Sequence, residues 1–512
     1  MTPLVKKYFL KLPYPSDNDK TPDLERVLAG LLREGINIQD VPLSAIRKLP
    51  EALRANNFEI TATVGFLDEP ELMDVEPGER VNNNFGLAVD LGTTNIVANL
   101  VNLNTGAIEA GLLPEAGLPA EASATNPQTA IGEDILARIH HCLKPGGLEE
   151  LRTAAVNCVS GLAGKLAGKD GVSVDDISCA CISGNTTMAH FFLGLDPYNI
   201  CRAPYVPAAN RFGAFKARDI DLKIKPEAPV LVLPNVGSYV GGDVLAGILA
   251  SGMADRDGIS ILVDVGTNAE IIVGNRDWLV ACAGAAGPAL EGGVVSSGMR
   301  AAPGAIDRIK IEVNYEPSFT VIGGVQPQGM CGSALIDLLS ELFRTGLIDG
   351  RGKFIPAKTK RIIETESGQA YLVTDNIIFT EKDIENLIRT KAAMYTALTV
   401  ITTEIGITFN DIESFFVAGT FGEYIAADKA VSIGMLPDIP LDKFKLLGNS
   451  SLKGATLALL NREARENINK IASMITYKEL NASSEFMSLY RAAMFLPHTD
   501  ASLFPSLIKS EL

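Results

Sequence analysis

Apolar and polar positions follow two different rhythms along this chain of 512 residues, and the change of rhythm divides it. In the first part, Thr21-Pro22-Asp23 reads as a capped helix start, followed by an apolar stripe of Leu24, Val27, Leu28, Leu31 and Leu32. A second helix is predicted near 43–55, and FEITATVGF (58–66) alternates as a half-buried strand does. MDVEPGERVNNN (73–84) is polar and turn-rich and reads as a domain boundary. This stretch is a small α+β module whose residues carry no visible chemistry.

From Phe85 onward Gly, Ala and β-branched residues dominate, and strand and helix patterns alternate. LAVDLGTTNIVANLVN (87–102) recurs in pattern as ILVDVGTNAEIIVGN (261–275). In both, an apolar strand ends in Asp-x-Gly-Thr, a tight turn follows, and an apolar strand returns, which is the spelling of a hairpin. Two such copies about one domain apart suggest a duplicated α/β unit with a cleft between its halves. SCACISGNTTMAHFFLG (178–194) predicts a strand, a Gly-Asn-Thr turn and a helix. SFFVAGTFGEYI (414–425) predicts a strand, a Gly-Thr turn and a helix start, and KLLGNSSLKGATLALLN (445–461) a strand, a loop and a small-residue helix. An amphipathic helix is predicted over 381–405, with Ile384, Leu387, Ile388, Leu398, Ile401 and Ile405 on its buried side.

Composition narrows the function classes. With 45 Lys+Arg against 61 Asp+Glu the net charge is −16, which argues against nucleic acid as the main partner. No apolar run reaches the roughly 20 residues that cross a bilayer, and no signal peptide is seen, so the expectation is a cytoplasmic protein with no membrane role. The seven cysteines, Cys142, Cys158, Cys179, Cys181, Cys201, Cys282 and Cys331, are odd in number and scattered, as reduced thiols are. Cys179 and Cys181 would face one side of a strand, as small buried side chains, and Cys331 reads as a buried cysteine at a helix start. No C-x2-C run suggests a zinc or iron–sulfur site.

The two repeated turns carry the candidate chemistry. A carboxylate at each strand end, Asp90 and Asp264, can hold a hydrated Mg2+, which takes only one or two protein carboxylates. Gly92 and Gly266 let a phosphate approach the turn's N–H groups, and Thr93, Thr94, Asn95, Thr267 and Asn268 add donors. One such hairpin alone would read as an ordinary acidic turn; two, with three further Gly-rich turns, point to phosphate. Gly419-Thr420-Phe421 has the small residues that admit an adenosine, or simply a tight strand-to-helix connection. Gly184-Asn185-Thr186 and Gly448-Asn449-Ser450 read as crossings between the halves. Asp243, in a Gly-rich turn, could orient an attacking water or the metal, or be a plain acid at a helix N-terminus. Lys391, on the long helix, could reach the adenosine but reads more simply as lying on a solvated face, and Glu291 belongs with the cleft in an unassigned role.

In their order, these segments resemble the phosphate-1, connect-1, phosphate-2, adenosine and connect-2 motifs of the actin, sugar-kinase and Hsp70 superfamily. Within it, NPQTAIGEDILARI (126–139), LPNVGSYVGGDVLAGILA (233–250), ACAGAAGPALEGG (281–293), GMCGSALIDLLSELFRTGLID (329–349) and YRAAMFLPH (490–498) resemble the reductive activators of corrinoid proteins. PLVKKYFLKLPYPSDNDKTPDLERVL (3–28) resembles the linker that follows their electron-carrying domain.

The resemblance implies an α/β fold: a duplicated actin/Hsp70-like, ribonuclease H-like ATPase core with a small N-terminal α+β domain. The parts are then a linker remnant (1–20), the small domain (21–82), ATPase subdomain I (83–255), subdomain II (256–444), and a return to subdomain I with a C-terminal strand and helix (445–512). It further implies ATP and Mg2+ as cofactors, with Asp90 and Asp264 as catalytic metal ligands and Asp243 as a third catalytic residue, orienting an attacking water or the metal. The partners would be a corrinoid protein (a corrinoid iron–sulfur protein or a methyltransferase corrinoid subunit), an electron donor and a second copy of the chain as a homodimer. The reaction the resemblance implies would be the ATP-coupled reduction of Co(II) to Co(I). The [2Fe–2S] domain that supplies the electron in the family would precede the linker, so either a separate donor serves or the chain is cut at that boundary, the latter favoured. A small-molecule kinase and an ATP-responsive scaffold share the fold and stand as alternatives.

Overall fold

The structure, a computed structural model, describes residues 2–108, 121–169, 172–266, 269–284, 290, 293–355, 358–366, 368–419, 424–479 and 485–509. The chain forms two compact units, residues 1–250 with 451–473 and residues 251–450 with 474–512.

The first unit begins with a three-stranded antiparallel sheet, in which β1 (Val5–Lys11) pairs with β2 (Glu59–Gly65), and β2 with β3 (Glu71–Pro77). Helices α1 (Asp23–Arg33) and α2 (Leu43–Ala55) bury Val27, Leu31, Leu49 and Leu53 in one core with Ile60, Ala62 and Val64 of β2. The small domain therefore starts at the N-terminus and not at residue 21. The first 20 residues, expected as a linker remnant, supply a strand, because Leu10 and Leu12 join the same core. The segment read as a polar boundary at 73–84 begins inside β3, whose Leu72, Met73 and Val75 are buried. Thr21 does not cap α1; its hydroxyl donates to Asp19 instead, and Pro22 occupies the cap position.

The rest of the unit is built on a six-stranded sheet. The hairpin of β4 (Phe85–Leu91) and β5 (Asn95–Asn102) is extended on one side by β6 (Glu121–Thr125). On the other side β7 (Ile177–Gly184) runs parallel to β4, and β9 (Pro229–Val232) parallel to β7, with β8 (Ala214–Lys216) antiparallel at the edge. Every residue of β7 is buried, including Cys179 and Cys181, as in a strand covered on both faces. Burial pushes the Cys181 thiol up to about 12 and that of Cys179 higher still. Short α3 (Ile135–His141) follows β6, and α4 (Gly147–Lys169) and α5 (Thr186–Leu193) join the core with Leu151, Val159, Met188 and Phe191. The helix α6 (Gly242–Ser251) follows β9.

The second unit repeats that arrangement. The strands β10 (Ser260–Val265), β11 (Ala269–Gly274) and β12 (Leu279–Gly284) form the antiparallel meander. After two small three-stranded sheets, formed by β13 (Ala305–Ile311), β14 (Pro317–Val321) and β15 (Gly329–Met330), and by β16 (Ile362–Thr365), β17 (Gly368–Thr374) and β18 (Ile377–Thr380), the pattern resumes. Then β19 (Ser414–Ala418) runs parallel to β10, and β20 (Phe444–Gly448) parallel to β19. The order β6-β5-β4-β7-β9 in one unit thus matches β12-β11-β10-β19-β20 in the other, and the duplication read from the sequence is a duplication of topology.

Two helices, α7 (Gly332–Arg344) and α8 (Glu381–Glu404), fill the second core. Cys331 is the buried residue just before α7, its Sγ 3.3 Å from the Ser333 hydroxyl. Ile405, expected on the buried face of α8, is its half-buried end cap. Lys391, expected in solvent, is 1% exposed. Its ammonium donates at 2.6 Å to the carbonyl oxygens of Phe495 and Pro497, and burial pushes its pKa down to about 7. A lysine on a helix surrounded by apolar positions was legible as solvated only because the segment that covers it lies about 100 residues away. The C-terminal boundary also differs from expectation: only 451–473 return to the first unit, and 474–512 stay with the second. Among the described residues no helix is long and apolar enough to cross a membrane.

Candidate functional site

The turn between β4 and β5 is held tight by its glycine. A Cβ on Gly92 would lie 2.4 Å from the carbonyl oxygen of Asn95, so any other residue would open the turn. Asp90, one residue before the end of β4, turns its Oδ1 toward Ser451 at the start of the helix Ser450–Leu460, whose hydroxyl donates to it at 2.8 Å. The Ser183 hydroxyl, at the end of β7, lies 2.9 Å from that of Ser451. Ser451 has one O–H and gives it to a carboxylate that can only accept, so Ser183 is the donor in the second bond. The result is a relay of two hydroxyls ending on Asp90.

Connect-1 closes on the same turn. Asn185 is the N-cap of α5: its Oδ1 accepts from the N–H of Met188 at 2.9 Å, and its Nδ2 donates to the Thr93 hydroxyl at 3.1 Å. Gly184 lets β7 come close to β4, since a Cβ there would meet the Leu91 carbonyl at 2.8 Å. The Thr186 hydroxyl donates to the Gly237 carbonyl and so ties the loop before α6 to the start of α5.

Asp243 lies in the first turn of α6. A Cβ on Gly241 would stand 2.4 Å from Asn185 Cα and 2.6 Å from Asp243 Oδ1, so the glycine brings this acid against connect-1. Burial of the carboxyl, followed by the like charge of Asp90, raises its pKa to about 7, against two backbone N–H groups, that of Val244 at 2.8 Å and that of Asp243 itself, which pull the other way. A carboxyl with that value beside a strand-end carboxylate can exchange a proton near neutral pH.

In the second unit Asp264 occupies the matching place on β10. Gly419 follows β19 with φ +87°, and a Cβ on it would lie 2.5 Å from the Val265 carbonyl and 2.9 Å from Asp264 Oδ1. Gly266 follows β10. Thr267, Asn268, Thr420 and Phe421 lie outside the described residues, as does Glu291.

In the first unit the structure therefore brings together Asp90, Gly92, Thr93, Gly184, Asn185, Thr186 and Asp243, residues some 150 positions apart. Thr94 and Asn95 complete the turn through their backbone. Sequence reasoning missed Ser183, Ser451, Gly241 and Asn126. Ser451 stands two residues after Gly448-Asn449, where a hydroxyl at a helix start is a readable signal. Asn126-Pro127 likewise spells a capped turn: Asn126 accepts from the N–H of Gln128, with Pro127 next.

Comparison with known proteins covers nearly the whole chain. Residues 258–508 match the family described as the C-terminal domain of RACo, the ASKHA domain; residues 85–256 match the RACo middle region, and 1–82 the RACo linker region. The chain is 32% identical over 507 residues to the corrinoid activation enzyme RamQ of Eubacterium limosum, spanning 95% of this chain and 82% of that one. It is 28% identical over 295 residues to the Co(II) methylated amine-specific corrinoid protein reductase of Methanosarcina barkeri, spanning 54% of this chain and 51% of that one. A solved structure of a reductive activator for corrinoid, iron–sulfur protein superposes with a TM-score of 0.90 at 39% identity, covering 99% of this chain and 81% of that one.

Proposed function

The chain belongs to the family of reductive activators of corrinoid proteins, and on that premise we infer that it returns the cobalt of a corrinoid protein from Co(II) to Co(I). The observation that carries this reading is a likeness that runs through all three regions of the chain and extends to the fold at a TM-score of 0.90. The α/β fold is that of the ASKHA proteins, with the duplicated sheet described above.

The finer reading is that ATP drives the step. Asp90 and Asp264 are each, within their own unit, a strand-end carboxylate two residues before a glycine, the kind of ligand a hydrated Mg2+ takes. The ion supplies charge neutralisation for phosphate oxygens when it is bound. The chain's own contribution is to present backbone N–H groups and the hydroxyl of Thr93 to phosphate, to fix Asp90 through Ser451, and to hold at Asp243 a carboxyl able to take a proton from water. A nucleotide moves a two-state equilibrium only by its differential affinity, and about 5.5 kcal/mol carries one from 1:99 to 99:1. For one electron that energy corresponds to roughly 240 mV, enough to matter to a cobalt couple.

The seven cysteines do not fit a [2Fe–2S] cluster. Among the described residues no group of three or more His, Cys, Asp or Glu side chains could hold a metal ion, and all seven thiols are free. No electron-transfer step is therefore routed through these residues, and the electron is assigned to an iron–sulfur donor that meets the partner. A homodimer working in the cytoplasm follows from the family resemblance, and analytical ultracentrifugation tests the first of these.

The deciding experiment mixes the chain with a Co(II) corrinoid protein and reduced ferredoxin, with and without ATP and Mg2+, and follows Co(I) by its absorbance. Formation of Co(I) that requires ATP is expected. Equal Co(I) without nucleotide would remove ATP from the mechanism, and no Co(I) under either condition would remove the activator reading itself.

A further inference from the structure

Asn126 lies behind the β4–β5 turn, fully buried, and holds it at two points. Its Nδ2 donates to the carbonyl of Gly92 at 2.9 Å, and its backbone N–H donates to the carbonyl of Thr94 at 2.8 Å. Its Oδ1 accepts from the N–H of Gln128 at 3.0 Å, so the amide cannot rotate without losing a bond at each end. Gln128 is itself fixed, its Nε2 donating to the Leu151 carbonyl at 2.9 Å and its Oε1 accepting from Arg138 at 3.3 Å. Arg138 is fully buried and donates through Nε to the Gly132 carbonyl at 2.8 Å. Asn126 thus holds the turn and is itself backed by two further buried polar side chains, at a desolvation cost that an apolar filling would avoid.

A trans peptide unit is planar, and its C=O and N–H point opposite ways. With the carbonyls of Gly92 and Thr94 drawn back onto Asn126, the N–H groups of Thr93 and Asn95 are turned to the other side of the turn. Asn185 meets the turn from that other side, through the Thr93 hydroxyl. We propose that Asn126 is a positioning residue for phosphate recognition: it sets the two peptide units of the turn so that their N–H groups face the nucleotide. This rests on the reading of the Asp90 hairpin as a phosphate-binding turn.

The test is nucleotide binding by calorimetry with the full chain, comparing ADP with AMP. Asn126→Asp keeps the acceptor for Gln128 and sets a carboxylate oxygen against the Gly92 carbonyl; Asn126→Ala removes both bonds. ADP affinity is expected to fall about tenfold in each, while AMP affinity stays within about twofold, because a turn that reads the outer phosphates is not reached by AMP. A merely structural role would weaken both ligands alike. Folded variants that bind ADP within about twofold of the wild type overturn the proposal. If the wild type itself binds no ADP, the phosphate reading fails and takes the proposal with it, an outcome distinct from a normal wild type with normal variants. Should neither variant fold, hydrogen exchange on the wild type decides: ADP is expected to slow the amides of 93 and 95 at least several-fold, and unchanged exchange there overturns the proposal.

Discussion

On the parallel neighbour of β4 the residue in register with Asp90 is Ser183; on the parallel neighbour of β10 the residue in register with Asp264 is Ala418. The next residue is glycine in both, Gly184 and Gly419, but only Gly419 has a left-handed backbone, at φ +87°. The same strand order is therefore finished in two ways. In the first unit the Ser451 hydroxyl donates to the carboxylate, and in the second a left-handed glycine brings backbone against it. Duplication preserved the hairpin, the register and the acid, and let the supporting contacts diverge.

The largest effect is expected where space and backbone conformation act together. Gly419→Ala forces an alanine to φ +87° and sets its Cβ 2.5 Å from the Val265 carbonyl. Strain of this kind costs about 1–3 kcal/mol, and the backbone atoms it meets cannot swing aside as a side chain would. A fall in melting temperature together with loss of ATP-dependent Co(I) formation is the expected result. The equivalent Gly184→Ala, with no left-handed backbone to strain, is expected to be milder. If the two variants behave alike, the left-handed conformation is not what separates the sites.

Asp243 has no acidic counterpart at the helix start that follows β20, where the sequence reads Gly448-Asn449-Ser450. Its raised pKa gives the comparison a pH signature. Because the folded state holds this proton more tightly than the unfolded chain, native stability falls as pH rises from about 4 to about 7 and is flat beyond. Asp243→Asn removes the ionisation while keeping an acceptor for the Val244 N–H. The variant is expected to melt higher than the wild type at pH 8, by a margin that shrinks as pH is lowered toward 4. ATP turnover is expected to rise through pH 7 in the wild type and to fall about a hundredfold in the variant. A variant less stable than the wild type at pH 8 would mean that the carboxylate is stabilised in the fold and that burial does not govern it.

How much of this was readable beforehand follows the range of the interactions. Both hairpins, α1, α2, α8 and the strand–turn–helix of connect-1 were legible, because each is spelled by neighbours in sequence. Asp90, Gly92, Asn185 and Asp243 could be named for the same reason, each sitting in a turn with its own local signature. The Ser183–Ser451–Asp90 relay could not, since its members are 268 and 361 residues apart. Strand β1 was hidden by its polar spelling: Lys6, Lys7, Tyr8 and Lys11 look like linker, yet Lys7 is buried against Glu76 at 2.9 Å. A charge that is paired inside a fold has the same letter as one in water. Lys391 misled for the same reason.

Ser451→Ala comes next in size. It removes the Ser451 donor to Asp90 Oδ1 and should cost about 0.5–1.5 kcal/mol, or roughly two- to tenfold in Mg–ATP affinity, with rescue by Ser451→Thr.

Ser183→Ala is the smallest change and the sharpest test, because it gives the first unit the residue that the second already has. The Ser183 hydroxyl touches Asp90 only through Ser451, so its loss leaves the Ser451–Asp90 bond in place and removes only the polarisation that a second donor adds. Chains of hydrogen bonds strengthen one another by about 10–30% per bond, so an effect of less than about 0.5 kcal/mol on Mg–ATP affinity is expected. A double-mutant cycle with Ser451→Ala separates the two outcomes. If the relay acts through Ser451 alone, the double variant is no worse than Ser451→Ala, and the serine-to-alanine difference between the units is tolerated drift. If Ser183→Ala by itself costs as much as Ser451→Ala, the two hydroxyls work as one group, and Ala418 then marks the second unit as a site that holds its acid by other means.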